Sequence, residues 1–404
     1  MISSTVRASI HFAKLIDPID LDEFIARDFE QRPRHIRRDR DDYFAELLTP
    51  GHIDDLFQCE ALAKSLLRVN KEGKEVHSDQ FSEVHDGVRT DRVSNVKLLE
   101  LFERGHTIII NSGNLVFPNL DRYCSDLERE LRFRVQPNIY ITPFSAQGFA
   151  THYDNHDVFI LQVMGSKNWR IFDAPVALPG KRQSFVPGTT YPLEAPQLEV
   201  TLTPGDSIYI PRGVLHDAST DGTTSAHITL GLHPPYRFDL LDELTRLAQD
   251  IPAFRKSVPL GLLRDSDDVV AEFKRLVNEL VDQMDVDDLM DRRYRSFIGS
   301  RRLDTRGRFA DLAHVNKVSV RTVVQKRPSV LYTVQRDNQS LTVAFSGNRI
   351  PVQPFLEDAL SFLFRDDPFA VRDITGFLSD TARLELVTRF LKAGFLEIVE
   401  LNDK

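Results

Sequence analysis

The chain has 404 residues, more than one hydrophobic core usually supports, which predicts a main domain with one or two further domains. Hydrophobic residues make up 41% of the chain and charged residues 27%, a balance that excludes disordered and fibrous classes. A formal net charge of -9 argues against nucleic acid as a partner. The start lacks the apolar segment of a signal peptide, and no run of ~18 apolar residues occurs, so we expect a cytoplasmic protein without a membrane anchor.

The first hundred residues read as helices and loops. Apolar residues recur at three- and four-residue spacing in the segments LDEFIARDFEQRP, DDYFAELLTPGHIDDLF and NVKLLELFERG. The first predicted strand is HTIIINSG, at 106–113, and a helix is expected at about 120–131. This part of the chain therefore predicts a helical cover for the domain that follows.

From residue 135 to about 233 the chain consists of short β-rich runs separated by glycine and proline. They are VQPNIYITP, DVFILQVMG, NWRIFD, LEVTLTPGD, SIYIP and SAHITLGLH. Several short strands at such spacing favour an all-β barrel or jelly roll over a parallel α/β sheet. We expect this segment to carry the chemistry of the protein.

The remaining residues return to helical periodicity and then alternate. YRFDLLDELTRLAQDI and DDVVAEFKRLVNELVDQM predict helices, and the basic stretch at 291–308 is interpreted as a solvated linker face rather than a contact for an anionic partner. Beyond it we predict strands VLYTVQRD, SLTVAFSG and FLEIVEL with helices PFLEDALSFLF, VRDITGFL and TARLELVTRFLKAG, which resemble a winged-helix module. Its mixed charge favours a packing or protein-interaction role over DNA binding. The predicted division is 1–238, 239–310 and 311–404.

The most informative local pattern is a possible set of metal ligands. His152 and Asp154 lie two residues apart in THYDNHDVFILQVMGSKNWRIFD, and in a strand this spacing points both side chains to one face. His216 ends the run PGDSIYIPRGVLH, in which two turns frame a short strand. Two histidines and one carboxylate form the facial triad of non-haem Fe(II) oxygenases, which leaves three coordination positions open. A four-coordinate structural zinc site would need one more ligand.

Other histidines compete for the same role. His156 has the same spacing from Asp154 in reverse, and we interpret it as lying behind the ligands or facing the substrate. His227 and His233, in or after the strand SAHITLGLH, are interpreted as structural.

These residues resemble the JmjC-type cupin-4 family of ribosomal oxygenases. The resemblance spans almost the whole chain and includes the H-x-D…H triad, HDVFILQVMGSKNWRIFD, PGDSIYIPRGVLH, the S-x-H-x-T strand at 225–229 and the winged-helix-like end. It implies a double-stranded β-helix (cupin jelly roll) with a helical cover, a helical linker and a C-terminal winged-helix-like domain.

The resemblance also implies a cofactor and a co-substrate site. Iron would be held by His152, Asp154 and His216, and Lys167 would pair with the distal carboxylate of 2-oxoglutarate, with Asn138 and Tyr140 as further pocket groups. A dianionic co-substrate needs such a cation. Trp169, the only tryptophan, is expected in the barrel core. A homodimer through roughly 240–310 is implied by the resemblance alone, and the loop at 180–197 matches no known peptide target.

The predicted function is Fe(II)- and 2-oxoglutarate-dependent hydroxylation, with O₂, of an amino-acid side chain in a protein or peptide, with a ribosomal protein favoured. One alternative is a different substrate: a free amino acid, a biosynthetic peptide or a tRNA base. Another is a non-catalytic regulator in which a cupin senses a ligand and a winged helix binds DNA. The fold alone does not decide between them.

Overall fold

The computed structural model describes residues 10–402 except 59–61, 86–87, 145, 147–149, 187–188, 190, 221, 258–266 and 337–339. Contacts divide the chain into two compact units, Met1–Pro234 and Pro235–Lys404. Each unit is described by itself, and the predicted three-part division stays a prediction.

The helices of the N-terminal unit are short and amphipathic. Its described part contains α1 (Ile10–Ile16), α2 (Leu21–Arg27), α3 (Pro50–Gln58), α4 (Asn95–Glu103) and α5 (Pro118–Leu131). Helix α5 begins with Pro118, whose missing N–H costs no hydrogen bond in the first turn of a helix. Arg132 caps the other end in the left-handed conformation, with a φ of 59°. The helix predicted at 120–131 is thus confirmed.

The strands of this unit begin earlier than the sequence predicts. The described strands are β1 (Arg34–Ile36), β2 (Leu67–Lys71), β3 (Lys74–Glu75), β4 (Ser82–His85), β5 (Val88–Val93), β6 (Thr107–Ile110), β7 (Arg134–Thr142), β8 (Asp157–Met164), β9 (Lys167–Ile171), β10 (Leu198–Leu202), β11 (Ser207–Ile210), β12 (His216–Ser219) and β13 (Ser225–His233). The prediction of helices and loops alone in the first hundred residues is wrong, because β1–β5 lie there. They are two to six residues long and show no extended alternation.

Two antiparallel sheets build the barrel. The larger has the order β1-β11-β8-β13-β7-β6-β2-β3, and the smaller has the order β10-β9-β12. One apolar cluster joins them, with Val158 and Ile160 of β8 and Ile208 of β11 packing against Trp169 and Ile171 of β9. The sheets therefore face each other across a common interior, as the predicted jelly roll requires.

The outer face of the large sheet is covered by helices. Phe159 and Leu161 of β8 and Ile228 and Leu230 of β13 join the same core as helical residues such as Phe24 of α2. Because successive side chains of a strand alternate, β8 and β13 separate this helical core from the barrel interior. The predicted helical cover exists and fixes which strand residues face inward.

The C-terminal unit has its own core. Its described part contains α6 (Arg237–Asp250), α7 (Asp267–Asp282), α8 (Val286–Ser300), α9 (Arg308–His314), α10 (Glu357–Leu363) and α11 (Asp380–Ala393), with strands β14 (Val323–Lys326), β15 (Thr333–Arg336), β16 (Leu341–Phe345), β17 (Asn348–Val352), β18 (Phe369–Ala370) and β19 (Leu396–Glu400). The strands form two sheets, β18-β14-β19 and β15-β16-β17. Phe345, Phe390 and Phe395 are fully buried in the core between these elements.

Two predictions for this unit need correction or comment. VRDITGFL is not an α-helix: only a 3₁₀ turn at Val371–Asp373 forms, and Gly376 has a φ of 106°, which a helix does not allow. The basic stretch at 291–308 is mostly the end of α8, where Arg293 pairs with Asp239 at 2.7 Å. None of the described helices is both long enough and apolar enough to cross a lipid bilayer.

Candidate metal centre

Three predicted ligands meet inside the barrel. The ligand atoms of His152, Asp154 and His216 all lie within 4.8 Å of one another. His216 Nε2 is 3.8 Å from Asp154 Oδ2, and the two imidazole rings have their centroids 4.6 Å apart. Asp154 and His216 are 62 positions apart in sequence, and the fold brings them together with His152, as the sequence predicts.

Backbone contacts hold these segments in place. His152 and His216 form an isolated antiparallel bridge, with N–O distances of 3.1 and 2.8 Å. The amide of Gly213 donates to the carbonyl of Asp154 at 2.9 Å. A side chain at Gly213 would place its Cβ 2.1 Å from the carbonyl oxygen of Val176, and its φ of 87° is left-handed, so the turn before His216 requires glycine.

Both histidines present the same ring nitrogen to the centre. His152 Nδ1 lies 2.9 Å from the carbonyl oxygen of Ala150, and His216 Nδ1 lies 3.0 Å from that of Val214. A carbonyl only accepts hydrogen bonds, so each neutral ring carries its proton on Nδ1. In this tautomer Nε2 carries the lone pair that a metal ligand needs, and the tautomer is set by the contact of Nδ1, as in established metal sites.

The charges of the cluster also suit a cation. Burial by itself raises the pKa of Asp154. The surrounding imidazoles, led by His152 and then His216, together lower it by more, so the pKa lies below its ordinary value. Burial, followed by the neighbouring His152, lowers the pKa of His216 to about 4. At neutral pH the centre therefore offers one carboxylate and neutral His216, the protonation states that metal ligands need.

A cavity adjoins the cluster between the two sheets. Besides the three ligands, the residues that line it are Tyr140, Ile160, Lys167, Trp169, Asp217, Ala218, His227 and Thr229. They come from β7, β8, β9, β12 and β13. Strands of both sheets thus contribute to the cavity.

Lys167 lines this cavity with a buried side chain. Its side chain is 3% exposed, and Nζ donates to Thr142 Oγ1 at 2.9 Å. Burial lowers the pKa of Lys167 to about 7. Within the described ranges no carboxylate pairs with this ammonium, so an anion that enters the cavity would find a cation without a counter-charge.

The two predicted pocket residues of β7 differ in position. Tyr140 lines the cavity and stacks on the His227 ring, with centroids 4.8 Å apart and planes 3° from parallel. Asn138 lies on the same face of β7 but is not among the lining residues. Its side chain forms a hydrogen bond with the side chain of Tyr140, and its Oδ1 accepts a hydrogen bond from the backbone amide of Ser112 at 3.0 Å. Asn138 therefore supports Tyr140 instead of reaching the cavity.

Trp169 and His227 line the cavity, although the sequence predicted only a core and a structural role for them. Trp169 lies in the apolar layer, as predicted, but it also borders the cavity, and its buried Nε1 has no hydrogen-bond partner within the described part of the chain. The same holds for Nδ1 of His227. Burial, and then the charge of Lys167, lowers the pKa of His227 well below its usual value. The S-x-H-x-T pattern was the signal for His227, since alternation places it beside Thr229.

His156 is not part of the ligand cluster. Its ring stacks on that of His233, with centroids 4.7 Å apart, and lies directly over Gly231. A Cβ at Gly231 would come within 2.7 Å of the His156 ring, so glycine makes room for it. His227, Thr229, Gly231 and His233 share one face of β13, and this row runs from the cavity to the histidine pair.

The loop that the sequence left without a role packs against the ligands. Phe185 meets the His152 ring edge-on with centroids 6.2 Å apart and contacts Tyr153 in the same way at 5.4 Å. Ser184 accepts from Asn155 at 2.8 Å, and the carbonyl of Gln183 accepts from Tyr153. This part of the 180–197 loop thus forms a wall beside His152, one of the candidate ligands.

Comparisons with known proteins agree with this geometry. Residues 109–240 match the family model of the JmjC domain. The chain is 27% identical over 312 residues to the bifunctional lysine-specific demethylase and histidyl-hydroxylase NO66 of Culex quinquefasciatus, covering 71% of this chain and 46% of the relative. It is 28% identical to ribosomal oxygenase 1 of Gallus gallus, covering 72% and 51%. The chain thus spans about half the length of the curated relatives it matches.

Solved structures extend the likeness along the chain. The ribosomal oxygenase YcfD of Escherichia coli matches with a TM-score of 0.53 at 17% identity, covering 94% of this chain and 98% of that chain. Its complex with cobalt and 2-oxoglutarate matches with a TM-score of 0.53 at 15% identity, covering 95% and 99%. At such identity these matches establish the fold, a cupin-type arrangement of β-sheets with added helices. We conclude that residues 109–240 match the JmjC domain and that the chain is similar to the ribosomal oxygenases.

Proposed function

We propose that the protein is an Fe(II)- and 2-oxoglutarate-dependent oxygenase that hydroxylates an amino-acid side chain of a protein. One observation carries the proposal: a cluster of two histidines and one carboxylate lies beside a cavity that also holds a buried lysine, which pairs with no carboxylate among the residues the structure describes. The first part fits iron and the second fits the co-substrate. A ligand sensor would not need both.

In this proposal His152, Asp154 and His216 hold Fe(II). The donor set fits the metal, because two neutral imidazole nitrogens and one carboxylate are the ligands of non-haem iron oxygenases. Bound there, iron supplies the activation of O₂ that organic side chains cannot perform. The residues contribute orientation: Nδ1 of each histidine is fixed by a carbonyl, and Asp154 remains ionised at neutral pH.

Lys167 holds the distal carboxylate of 2-oxoglutarate in this proposal. The ammonium lies in the cavity next to Thr142, whose hydroxyl offers a second polar group. Binding a carboxylate supplies the counter-charge that the buried lysine lacks and so favours its protonated form. Tyr140 and His227, stacked on each other, form a wall that fixes the orientation of the bound molecule.

The substrate class follows from the names of the relatives. These include a histidyl-hydroxylase and ribosomal oxygenases, which favour a side chain of a ribosomal protein, with histidine as the first residue to test. The stacked pair His156 and His233 and the wall formed by Phe185 lie next to the ligands, where a substrate side chain would enter. Ferrous iron and 2-oxoglutarate are cytoplasmic, and we propose that compartment.

We also propose that the protein is a homodimer through helices α6 and α7. Large apolar side chains are exposed there, among them Leu241 at 61% and Phe273 at 59%. Apolar side chains gathered on neighbouring helices are typical of a surface that is covered in an assembly. Phe273→Glu should convert a dimer into a monomer in sedimentation analysis, whereas a monomeric wild-type protein would contradict the proposal.

The test begins without a protein substrate. Fe(II) is added anaerobically, followed by 2-oxoglutarate, and the visible charge-transfer band of the complex is recorded; air is then admitted and succinate is measured. A band and slow succinate release, both absent from Asp154→Ala, would support the oxygenase. Segments of ribosomal proteins then serve as substrates, read by a mass gain of one oxygen atom. Folded, iron-loaded protein without a band or succinate would instead favour the regulator.

A further inference from the structure

The two segments that carry the histidine ligands pair as β-structure at a single residue pair. The bridge between His152 and His216 is isolated, since β8 begins only at Asp157, and β12, which begins at His216, pairs along β9. The two hydrogen bonds of this bridge and the one from Gly213 to Asp154 are few contacts to fix the separation of two metal ligands. An additional contact between these segments would therefore control the geometry of the centre.

Such a contact lies one residue beyond each histidine. Thr151, which precedes His152, donates its hydroxyl hydrogen to Oδ2 of Asp217, which follows His216, at 2.6 Å. The Asp217 side chain is only 5% exposed. A short hydrogen bond to a buried carboxylate is among the stronger polar contacts in proteins.

Arg170 fixes the orientation of this carboxylate. It lies opposite Asp217 on the neighbouring strand β9, and its Nε and Nη2 donate to Oδ1 and Oδ2, each at 2.9 Å. The fork leaves Oδ2 directed at Thr151 and supplies the charge that a buried carboxylate needs. Because the Arg170 side chain is 52% exposed, the ion pair by itself should add little stability. Its effect is on geometry.

We propose that Thr151, Asp217 and Arg170 are positioning residues that set the spacing of the two histidine ligands. The inference rests on the proposed metal centre and goes beyond it, because none of the three needs to touch the metal. Asp217 acts through the backbone of His216 and Thr151 through that of His152. Contacts of this kind around metal ligands typically change metal affinity by about 10- to 100-fold when they are removed.

The test measures binding of Co(II) alone to the full chain, followed by its visible absorption spectrum. Thr151→Val keeps the shape of the side chain and removes the hydroxyl, Thr151→Ser keeps the hydroxyl, and Asp217→Asn removes the charge. We expect Thr151→Val and Asp217→Asn to weaken Co(II) binding by about 10- to 100-fold and to alter the spectrum. Thr151→Ser should keep the wild-type Co(II) affinity and spectrum. The melting temperature of Thr151→Val should stay close to that of the wild type.

Wild-type affinity and spectrum in Thr151→Val would overturn the inference, as would equal weakening in Thr151→Ser. If Asp217→Asn does not fold, the valine and serine variants still decide. Absence of Co(II) binding by the wild-type protein would overturn the proposed function and this inference with it. If the wild-type protein binds Co(II) and all three variants bind it with the same affinity, the positioning role is overturned and the proposed metal centre is not.

Discussion

Lys167 in the barrel and Arg327 in the C-terminal unit are equally buried, each 3% exposed, but their surroundings differ. Lys167 donates to a neutral hydroxyl and faces a cavity. Arg327 donates hydrogen bonds to the carboxylate of Asp311 and to the carbonyl of Arg306. Its Nη1 also lies 3.5 Å from Oε2 of Glu397. The charge of Arg327 is thus balanced by carboxylates of its own unit, whereas Lys167 has no carboxylate partner in the described part of the chain.

This difference separates residues kept for stability from residues kept for binding. Removal of one partner of a buried ion pair destabilises the fold, because the other charge is left buried without compensation. A buried cation without an anion lowers stability and is retained where an incoming anion compensates. Substitutions in the two units should therefore have opposite effects on stability and on binding.

The largest effect is expected at the ligands. Asp154→Ala removes the only carboxylate of the cluster, so metal affinity should fall by at least about 100-fold and succinate formation should be lost. Isothermal titration with Co(II) and a succinate assay measure both. His156→Ala is the matched control, since His156 lies nearby outside the cluster, and it should keep metal binding. Retained activity in Asp154→Ala would remove the basis of the iron centre.

The next effect is expected on stability in the other unit. Arg327→Met leaves Asp311 and Glu397 without their cation, which should cost about 3–5 kcal/mol of unfolding free energy. Denaturant unfolding measures this, and Co(II) affinity should not change. Arg336→Met, which breaks an exposed pair with Glu357, should cost less than about 1 kcal/mol. Similar losses in both variants would contradict the distinction between buried and exposed pairs.

Lys167→Met tests the unpaired cation. The variant loses the charge and keeps the length of the side chain, so 2-oxoglutarate affinity should fall by about 10- to 100-fold, corresponding to about 1.5–3 kcal/mol for a hydrogen bond to a charged group. Melting temperature should rise slightly, because burial of the ammonium is no longer required. Calorimetry on the Co(II)-loaded protein measures the affinity, and exposed Lys181→Met is the control. A destabilised Lys167→Met with unchanged affinity would make Lys167 structural.

The smallest effect is the pH dependence of co-substrate binding. The pKa of Lys167 is about 7 in the free protein, and a bound carboxylate raises it. Binding is therefore strongest below pH 7, where the ammonium is already formed, and weakens as pH rises through that pKa. The dissociation constant should increase about fivefold between pH 7 and 8. Lys167→Met should show no such dependence; a persisting one would assign the titration to another group.

The sequence predicted which three residues of the candidate centre lie together better than it predicted their surroundings. The H-x-D spacing and the Gly/Pro-framed His216 depend on local geometry, which neighbouring residues determine. The placement of Asn138 behind Tyr140 depends on which strands lie beside β7, and no local pattern contains that information. The same holds for the pairing of His156 with His233, which requires the register between β8 and β13.

The missed strands and the wrong helix have simpler causes. Strands β1–β5 are short, and β3 consists of two exposed residues, so no alternation marks it. In VRDITGFL the apolar residues have helical spacing, but Gly376 adopts a left-handed φ and Val371 pairs its amide with the carbonyl of Thr322. Tertiary pairing there outweighs local propensity.

The row of residues along β13 has a consequence for how this protein can diverge. His227 and Thr229 line the cavity, whereas Gly231 and His233 lie against His156, and Ile228, Leu230 and Leu232 belong to the core shared with the helices. Insertion or deletion of one residue in β13 would exchange the two faces and destroy core and cavity together. Single substitutions at His233 would leave both intact. New substrate preferences should therefore arise by point mutation at the outer end of this strand or by length changes in the 180–197 loop.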